Sequence, residues 1–281
     1  MRKFTGLLVK KSLGCYLNLL SYARPEKASL LAYRLFSEPR DGRLLKDRLP
    51  QVLRDTDTET YRHDGHDIQF YTWKGNRQII LLVHGWESNA ARWEQLLPYL
   101  KASGSTVVAV DAPAHGLSSG TEFNVPRYAE FIDAAIRRFK PDALIGHSIG
   151  GAACLYHQHL YPHHAVAKMV LLGAPSDLQT LVDNFGKMLG LNARMLDLLE
   201  QYFSDRFKIR TSEFSGRIFG STLRAQGMIA HDIEDDVVAF AEARKIAGSW
   251  KSATFIETRG LGHSMHDVAL YEKVSAFLAH P

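Results

Sequence analysis

The chain has 281 residues, 46% of them hydrophobic, enough to bury a sizeable core in one or two domains. Its net charge of +4 and pI near 9.0 trace to the leading segment: residues 1–48 hold 11 Lys or Arg against 4 Asp or Glu, and the rest hold 23 against 26. That distribution argues against a nucleic-acid-binding body. Two cysteines (Cys15, Cys154) exclude a disulfide framework, and the lack of an apolar run of about 18 residues excludes a spanning helix.

Residues 1–50 read as a helical N-terminal extension. Leu13, Tyr16, Leu17 and Leu20 recur at three and four, as do Ala28, Leu31, Ala32 and Leu35, until Pro39 to Gly42 and Pro50 punctuate the pattern. The opening "MRKFTGLLVKKSLGCYLNLLSYA" loosely resembles a secretory leader, but Lys10 and Lys11 split its apolar part and Asn18 interrupts the rest. A cytoplasmic protein is therefore expected. The basic, amphipathic leading helix also fits peripheral contact with an anionic membrane surface.

After Pro50 the period changes. "DIQFYTWK" (67–74) alternates as a strand does, and "RQIILLVHG" (77–85) is a continuous apolar run that suits a strand buried on both faces. A helix over 90–102, a buried strand over 105–113, a helix over 125–139 and a third buried strand over 142–148 follow. "IGGAACLYHQHL" then reads as helix and "AVAKMVLLGAP" as strand. Residues 178–206 form a helical insertion, broken by Gly186 and Gly190, within a cap expected over about 176–222. Phe185, Met188, Leu189, Leu191, Met195, Leu198, Leu199, Tyr202 and Phe203 in it read singly as packing and together as the roof of an apolar acyl site. Strands at 225–232 and 253–258, a helix near 237–249 and a closing helix from about 266 complete the alternation. This is an α/β pattern: a mostly parallel central sheet flanked by helices on both faces.

"LIGHSIGG" (144–151) places Ser148 where a buried strand meets a helix, between Gly146 and Gly150. A sharp strand-to-helix turn needs such small neighbours, and it lifts the serine to the carboxyl edge of the sheet. A serine needs a base and an orienting acid to act as a nucleophile. His263 in "GLGHSM" fits the base, and Asp235 in "HDIEDDVV" the acid, with Asp232 its rival. Backbone N–H groups of Ile149 and Trp86 are the candidate oxyanion donors. The histidines of "HDGHD" (63–67) and "YHQHLYPHH" (156–164) form no ligand set, since the first reads as a turn and His157 and His159 point to different helical faces. No phosphate-binding or dinucleotide glycine loop is present, so neither metal nor cofactor is expected.

Taken in order, "LLVHGWESN", "VVAVDAPAHGLSSG", "LIGHSIGG" and "GLGHSMHD" resemble the α/β-hydrolase superfamily over about residues 60–280. Within it, the chain looks like the small bacterial serine hydrolases that carry a helical N-terminal extension. The resemblance implies a Ser-Asp-His triad without cofactor, acting on a small-molecule acyl substrate, with carboxylester hydrolysis foremost. Acyl transfer through the same residues, or ligand binding on a scaffold without catalysis, are the alternatives. Ala114 departs from the family, which usually has Gly there. Ser148 departs from the dehalogenases and epoxide hydrolases, which use an aspartate nucleophile.

Overall fold

A computed structural model of the chain describes residues 2–75 and 78–279, with side chains described from residue 9 onward. Arg77, where the strand expected over 77–85 would begin, and the side chains of the first eight residues of the leader-like opening lie outside the described residues. In chain order the elements are α1 (Arg2–Ala23), α2 (Pro25–Ser37), α3 (Gln51–Arg54), β1 (Asp57–His63), β2 (His66–Trp73) and β3 (Ile79–Val83). Then come α4 (Leu97–Ala102), β4 (Thr106–Val110), α5 (Val125–Phe139), β5 (Ala143–His147), α6 (Ile149–Leu160) and β6 (Lys168–Leu172). Last are α7 (Leu178–Leu189), α8 (Ala193–Phe207), α9 (Gly216–Gly220), β7 (Gln226–Asp232), α10 (Phe240–Ser249), β8 (Ala253–Thr258) and α11 (Val268–Ala279).

The chain forms two units, one of Met1–Glu38 with Asp177–Ser215 and one of Pro39–Ser176 with Gly216–Pro281. The second unit is built on an eight-stranded sheet of order β1-β2-β4-β3-β5-β6-β7-β8. β1 pairs antiparallel with β2, and β2 with β4; the other neighbours are parallel. Strands β3 to β6 are almost wholly buried, which explains their unbroken apolar runs. One sheet face packs Ile80, Leu82, Ala109, Ile145 and Val170 against Leu97, Leu270, Val274 and their neighbours on α4 and α11.

Strand order reverses at β3, whose neighbours are β4 on one side and β5 on the other. The carboxyl ends of β3 and β5 therefore flank a switch point, where open α/β sheets leave a crevice. Val83 pairs with Gly146 there, so the loops after Val83 and after His147 start side by side.

Three local features of the sheet-containing unit go beyond the sequence reading or depart from it. The helix expected over 90–102 is a 3-10 turn, Ala90–Gln95, followed by the separate α4, because Pro98 lacks an N–H and restarts the helix at its first turn. β1 was not anticipated: "DTETYRH" is an exposed edge strand with little apolar patterning, joined to β2 by a turn through Asp64 and Gly65, both at positive φ. His157 is fully buried, and both it (3.2 Å) and His164 (2.7 Å) meet the Oδ1 of Asp133, tying α6 and the turn after it to α5.

Among its described residues, the first unit is built on the helices α1, α2, α7 and α8. Leu17, Ala28, Ala32 and Tyr33 form its core with Val182, Phe185, Leu189, Met195, Leu199 and Phe203. The apolar face of the insertion thus packs on the N-terminal helices. Gly14 makes this possible: a Cβ there would lie 1.9 Å from the carbonyl oxygen of Leu189. Gly186 does not break α7 as expected. It stays helical and leaves room for Leu196, whose Cδ2 would be 2.7 Å from an added Cβ. Gly190, at φ 75°, does end the helix.

Ala114 is buried at φ 64°, a left-handed conformation that a Cβ disfavours by about 1 kcal/mol or more. Ala114→Gly should therefore raise stability by about 0.5–1 kcal/mol, seen as a higher denaturation midpoint at unchanged slope.

Candidate active site

The carboxyl ends of β5, β7 and β8 carry the three side chains singled out in the sequence. Ser148 follows β5 directly and sits at φ 55°, ψ −132°, a strained turn for a residue with a Cβ. The surrounding backbone over-determines it. Ser148 N–H donates to the Leu172 carbonyl (2.9 Å), while its own carbonyl accepts from Gly151 (2.9 Å) and Ala152 (3.3 Å). The two motif glycines are needed for close approach: a Cβ on Gly146 would lie 2.6 Å from Gly151 Cα, and one on Gly150 would lie 2.3 Å from His84 O.

His263 lies on a short 3-10 turn, Gly262–Ser264, after β8. Its Nε2 is 2.9 Å from Ser148 Oγ and its Nδ1 is 2.8 Å from Asp235 Oδ2. A carboxylate only accepts, so Nδ1 carries the proton and Nε2 is free to accept from the hydroxyl. Asp235 Oδ1 accepts from the amides of Val237 and Val238, both at 2.9 Å. Burial alone would raise the Asp235 carboxyl, but the bonds from His263, Val238 and Val237 outweigh it and hold it below its ordinary value. His231 stands alongside: its Nε2 donates to Val238 O (2.9 Å) and lies 3.4 Å from Asp235 Oδ2.

Asp232 does not meet His263. Its carboxylate accepts from Glu234 N–H (3.0 Å), Leu261 N–H (2.9 Å) and the Thr258 hydroxyl (2.9 Å), so it builds the turns on which the other two residues sit.

Ile149 N–H opens α6, and Trp86 N–H lies in the loop after β3; neither has an acceptor among the described residues. The Trp86 loop is held by two neutral histidines. Ala112 N–H donates to His84 Nε2 (2.9 Å), so His84 Nδ1 carries the proton and donates to Gly85 O (2.8 Å). Full burial pushes the His84 pKa down to about 3, which keeps it in this form. His115 repeats the arrangement, accepting from Glu87 N–H (3.0 Å) and donating to Pro113 O (2.8 Å). Asp111, whose pKa burial pushes up to about 6, accepts from the amides of Ala90 and Leu117. Among the described residues, no group of three or more His, Cys, Asp or Glu side chains is placed to hold a metal ion.

The family model described as the alpha/beta hydrolase family matches residues 80–271. The chain belongs to that family. Among its relatives is the pimeloyl-[acyl-carrier protein] methyl ester esterase of Aromatoleum aromaticum, 34% identical over 110 residues, or 39% of this chain and 42% of the relative. A serine hydrolase-like protein of Danio rerio is 34% identical over 116 residues, 39% of this chain and 35% of that one. The chain thus spans less than half the length of these two relatives. The ferulic-acid-bound structure of Est1E from Butyrivibrio proteoclasticus shares the fold, with a TM-score of 0.63 at 16% identity over 76% of this chain and 95% of that one.

Three residues escaped the sequence reading of this alpha/beta hydrolase. His147 donates through Nε2 to the carbonyl of His263 itself (2.8 Å), and burial holds it well below its ordinary value and therefore neutral. Arg92 donates to the Ser264 carbonyl (2.8 Å), one residue further along the same turn. His231 completes the set beside Asp235. The signal for His147 was its place inside the Gly-x-Ser-x-Gly motif; nothing in the sequence marked Arg92.

The depressed Asp235 carboxyl has a consequence for stability. Its contribution is fully present above the ordinary carboxylate pKa of about 4 and is lost as pH falls through the lower folded value. Asp235→Asn should lower the melting temperature at neutral pH, and the gap to the native chain should close in acid. Thermal melts across pH test this, and a gap that widens in acid would refute it.

Proposed function

We propose that this chain is a serine hydrolase that cleaves an ester or related acyl bond through Ser148, His263 and Asp235. The observation that carries the reading is the unbroken hydrogen-bonded line Asp235–His263–Ser148, with links of 2.8 and 2.9 Å, at the switch point of the sheet. That geometry is what activates a hydroxyl that is otherwise a poor nucleophile.

In this mechanism Ser148 Oγ attacks the acyl carbon while its proton passes to His263 Nε2. The negative charge moves onto the former carbonyl oxygen, which the N–H groups of Trp86 and Ile149 receive. Donors of this kind lower the barrier by about 3 kcal/mol each. As the intermediate collapses, His263 returns the proton to the leaving oxygen and an acyl-enzyme remains. Water then gives a proton to His263 as it adds to the acyl carbon; His263 returns that proton to Ser148 Oγ as the Oγ–acyl bond breaks, which releases the carboxylic acid and restores the free enzyme. Asp235 stays ionised, holds the Nδ1–H tautomer and stabilises the imidazolium.

The relatives named as a methyl ester esterase and a serine hydrolase-like protein support an acyl substrate, with a carboxylic ester of a small to medium apolar acyl group foremost. All three positions are filled and within bonding distance, which favours catalysis over a binding scaffold.

A fluorophosphonate probe should label Ser148, found by peptide mass spectrometry, and His263→Ala should prevent it. On a panel of esters and thioesters, Ser148→Ala should abolish turnover, and Asp235→Asn should lower kcat by roughly 10,000-fold while circular dichroism stays unchanged. Undiminished hydrolysis by the Ser148→Ala chain would overturn the assignment.

A further inference from the structure

We propose that α1 docks in the plane of an anionic lipid bilayer. This helix has apolar residues on two faces. One face, with Gly14, Leu17 and Ser21, is buried within the helical unit. On the other, Cys15, Tyr16, Leu19 and Tyr22 recur at three, four and seven, so they form one stripe, with Val9 at its N-terminal end. That stripe is open to solvent: Val9 is 67%, Tyr16 54%, Leu19 68% and Tyr22 67% exposed. Scattered single apolar residues on a surface need no explanation, but a contiguous row does.

Charge selects the occupant. The sheet-containing unit holds 22 basic and 22 acidic residues, so the whole net charge of +4 resides in the helical unit. α1 contains no Asp or Glu. Cations border the stripe at both ends. At the N-terminal end Lys11, exposed and four residues before Cys15, has its Nζ fixed by donation to the Lys187 carbonyl (3.0 Å). At the other end the Arg194 guanidinium stands 5.0 Å over the Tyr22 ring, and its Nε donates to Ser21 O (3.2 Å). A second copy of the chain would bring these same cations face to face, which Coulomb repulsion opposes. An anionic headgroup layer instead receives the cations, while the acyl boundary beneath it receives Leu19 and Val9. Tyrosine suits that boundary, with its ring in the apolar layer and its hydroxyl in water. No helix among the described residues is long and apolar enough to cross a membrane, so the contact lies along the surface.

Flotation of the full chain with vesicles tests this. Vesicles of phosphatidylcholine with added phosphatidylglycerol should carry the protein, neutral phosphatidylcholine vesicles should carry roughly tenfold less, and salt should release it. Leu19→Glu and Tyr16→Glu, both at exposed positions, should abolish flotation without changing the circular dichroism spectrum. Lys11→Glu should weaken it at least about fivefold. A native chain that stays unbound to both kinds of vesicle, or a Leu19→Glu chain that still floats, would overturn the proposal. So would light scattering that shows a native dimer turned monomeric by Leu19→Glu, since the stripe would then belong to a second copy.

Discussion

Everything at the carboxyl edge of the sheet depends on one close approach of backbone to backbone. The first turn of α6 comes so near the end of β3 that a methyl group at Gly150 would meet the carbonyl oxygens of Val83 and His84 at 2.4 and 2.3 Å. The contact sets two things together. It forces Ser148 into its left-handed conformation, with the hydroxyl projected off the sheet edge. It also sets the first turn of α6 beside the loop that follows β3. Strain at Ser148 of order 1–3 kcal/mol is tolerated because three backbone hydrogen bonds fix the residue on both sides.

Around this contact the rigidity comes from neutral histidines. His84 and His115 each accept one backbone N–H and donate to one carbonyl, which only the neutral ring can do. Burial favours that form by penalising the charged one. His147 works in the same state toward the carbonyl of His263. A lysine or arginine in these places has no acceptor for the backbone N–H that each ring receives. His84 and His115 are struts whose ring presents a fixed donor and acceptor about a ring's width apart.

The legibility of this arrangement was uneven, for physical reasons. Buried parallel strands announce themselves as apolar runs because both faces need apolar side chains, so the sheet from β3 to β7 and the serine turn between Gly146 and Gly150 were readable. β1 was not, since an edge strand with polar residues on both faces leaves no periodic signal. Helical periodicity showed that α1, α2, α7 and α8 each have an apolar face. It did not show that the four share one core, because a stripe of leucines does not name its partner. Gly186 misled for a related reason: a glycine inside a helical pattern marks either an end or a close neighbour, and here it is Leu196 that needs the space. Arg92 left no trace at all, because a donor to a main-chain carbonyl 172 residues away answers to no local pattern.

The acidic loop after β7 shows how one short stretch divides its labour. Asp232 and Asp235 are three residues apart, both are buried, and in both burial raises the carboxyl while hydrogen bonds more than offset it. Their partners differ. Asp232, at the last position of β7, receives Leu261 N–H and the Thr258 hydroxyl from the neighbouring strand and loop, which ties the end of β8 to β7. That bond decides where the turn bearing His263 begins. Asp235, one turn of loop further on, receives the imidazole itself. Sequence spacing alone left the two as rivals because they lie three residues apart where β7 gives way to its loop. The distinction arises from the parallel pairing of Asp232 with Thr258, which commits the first carboxylate to the backbone of β8 and leaves only the second within reach of His263.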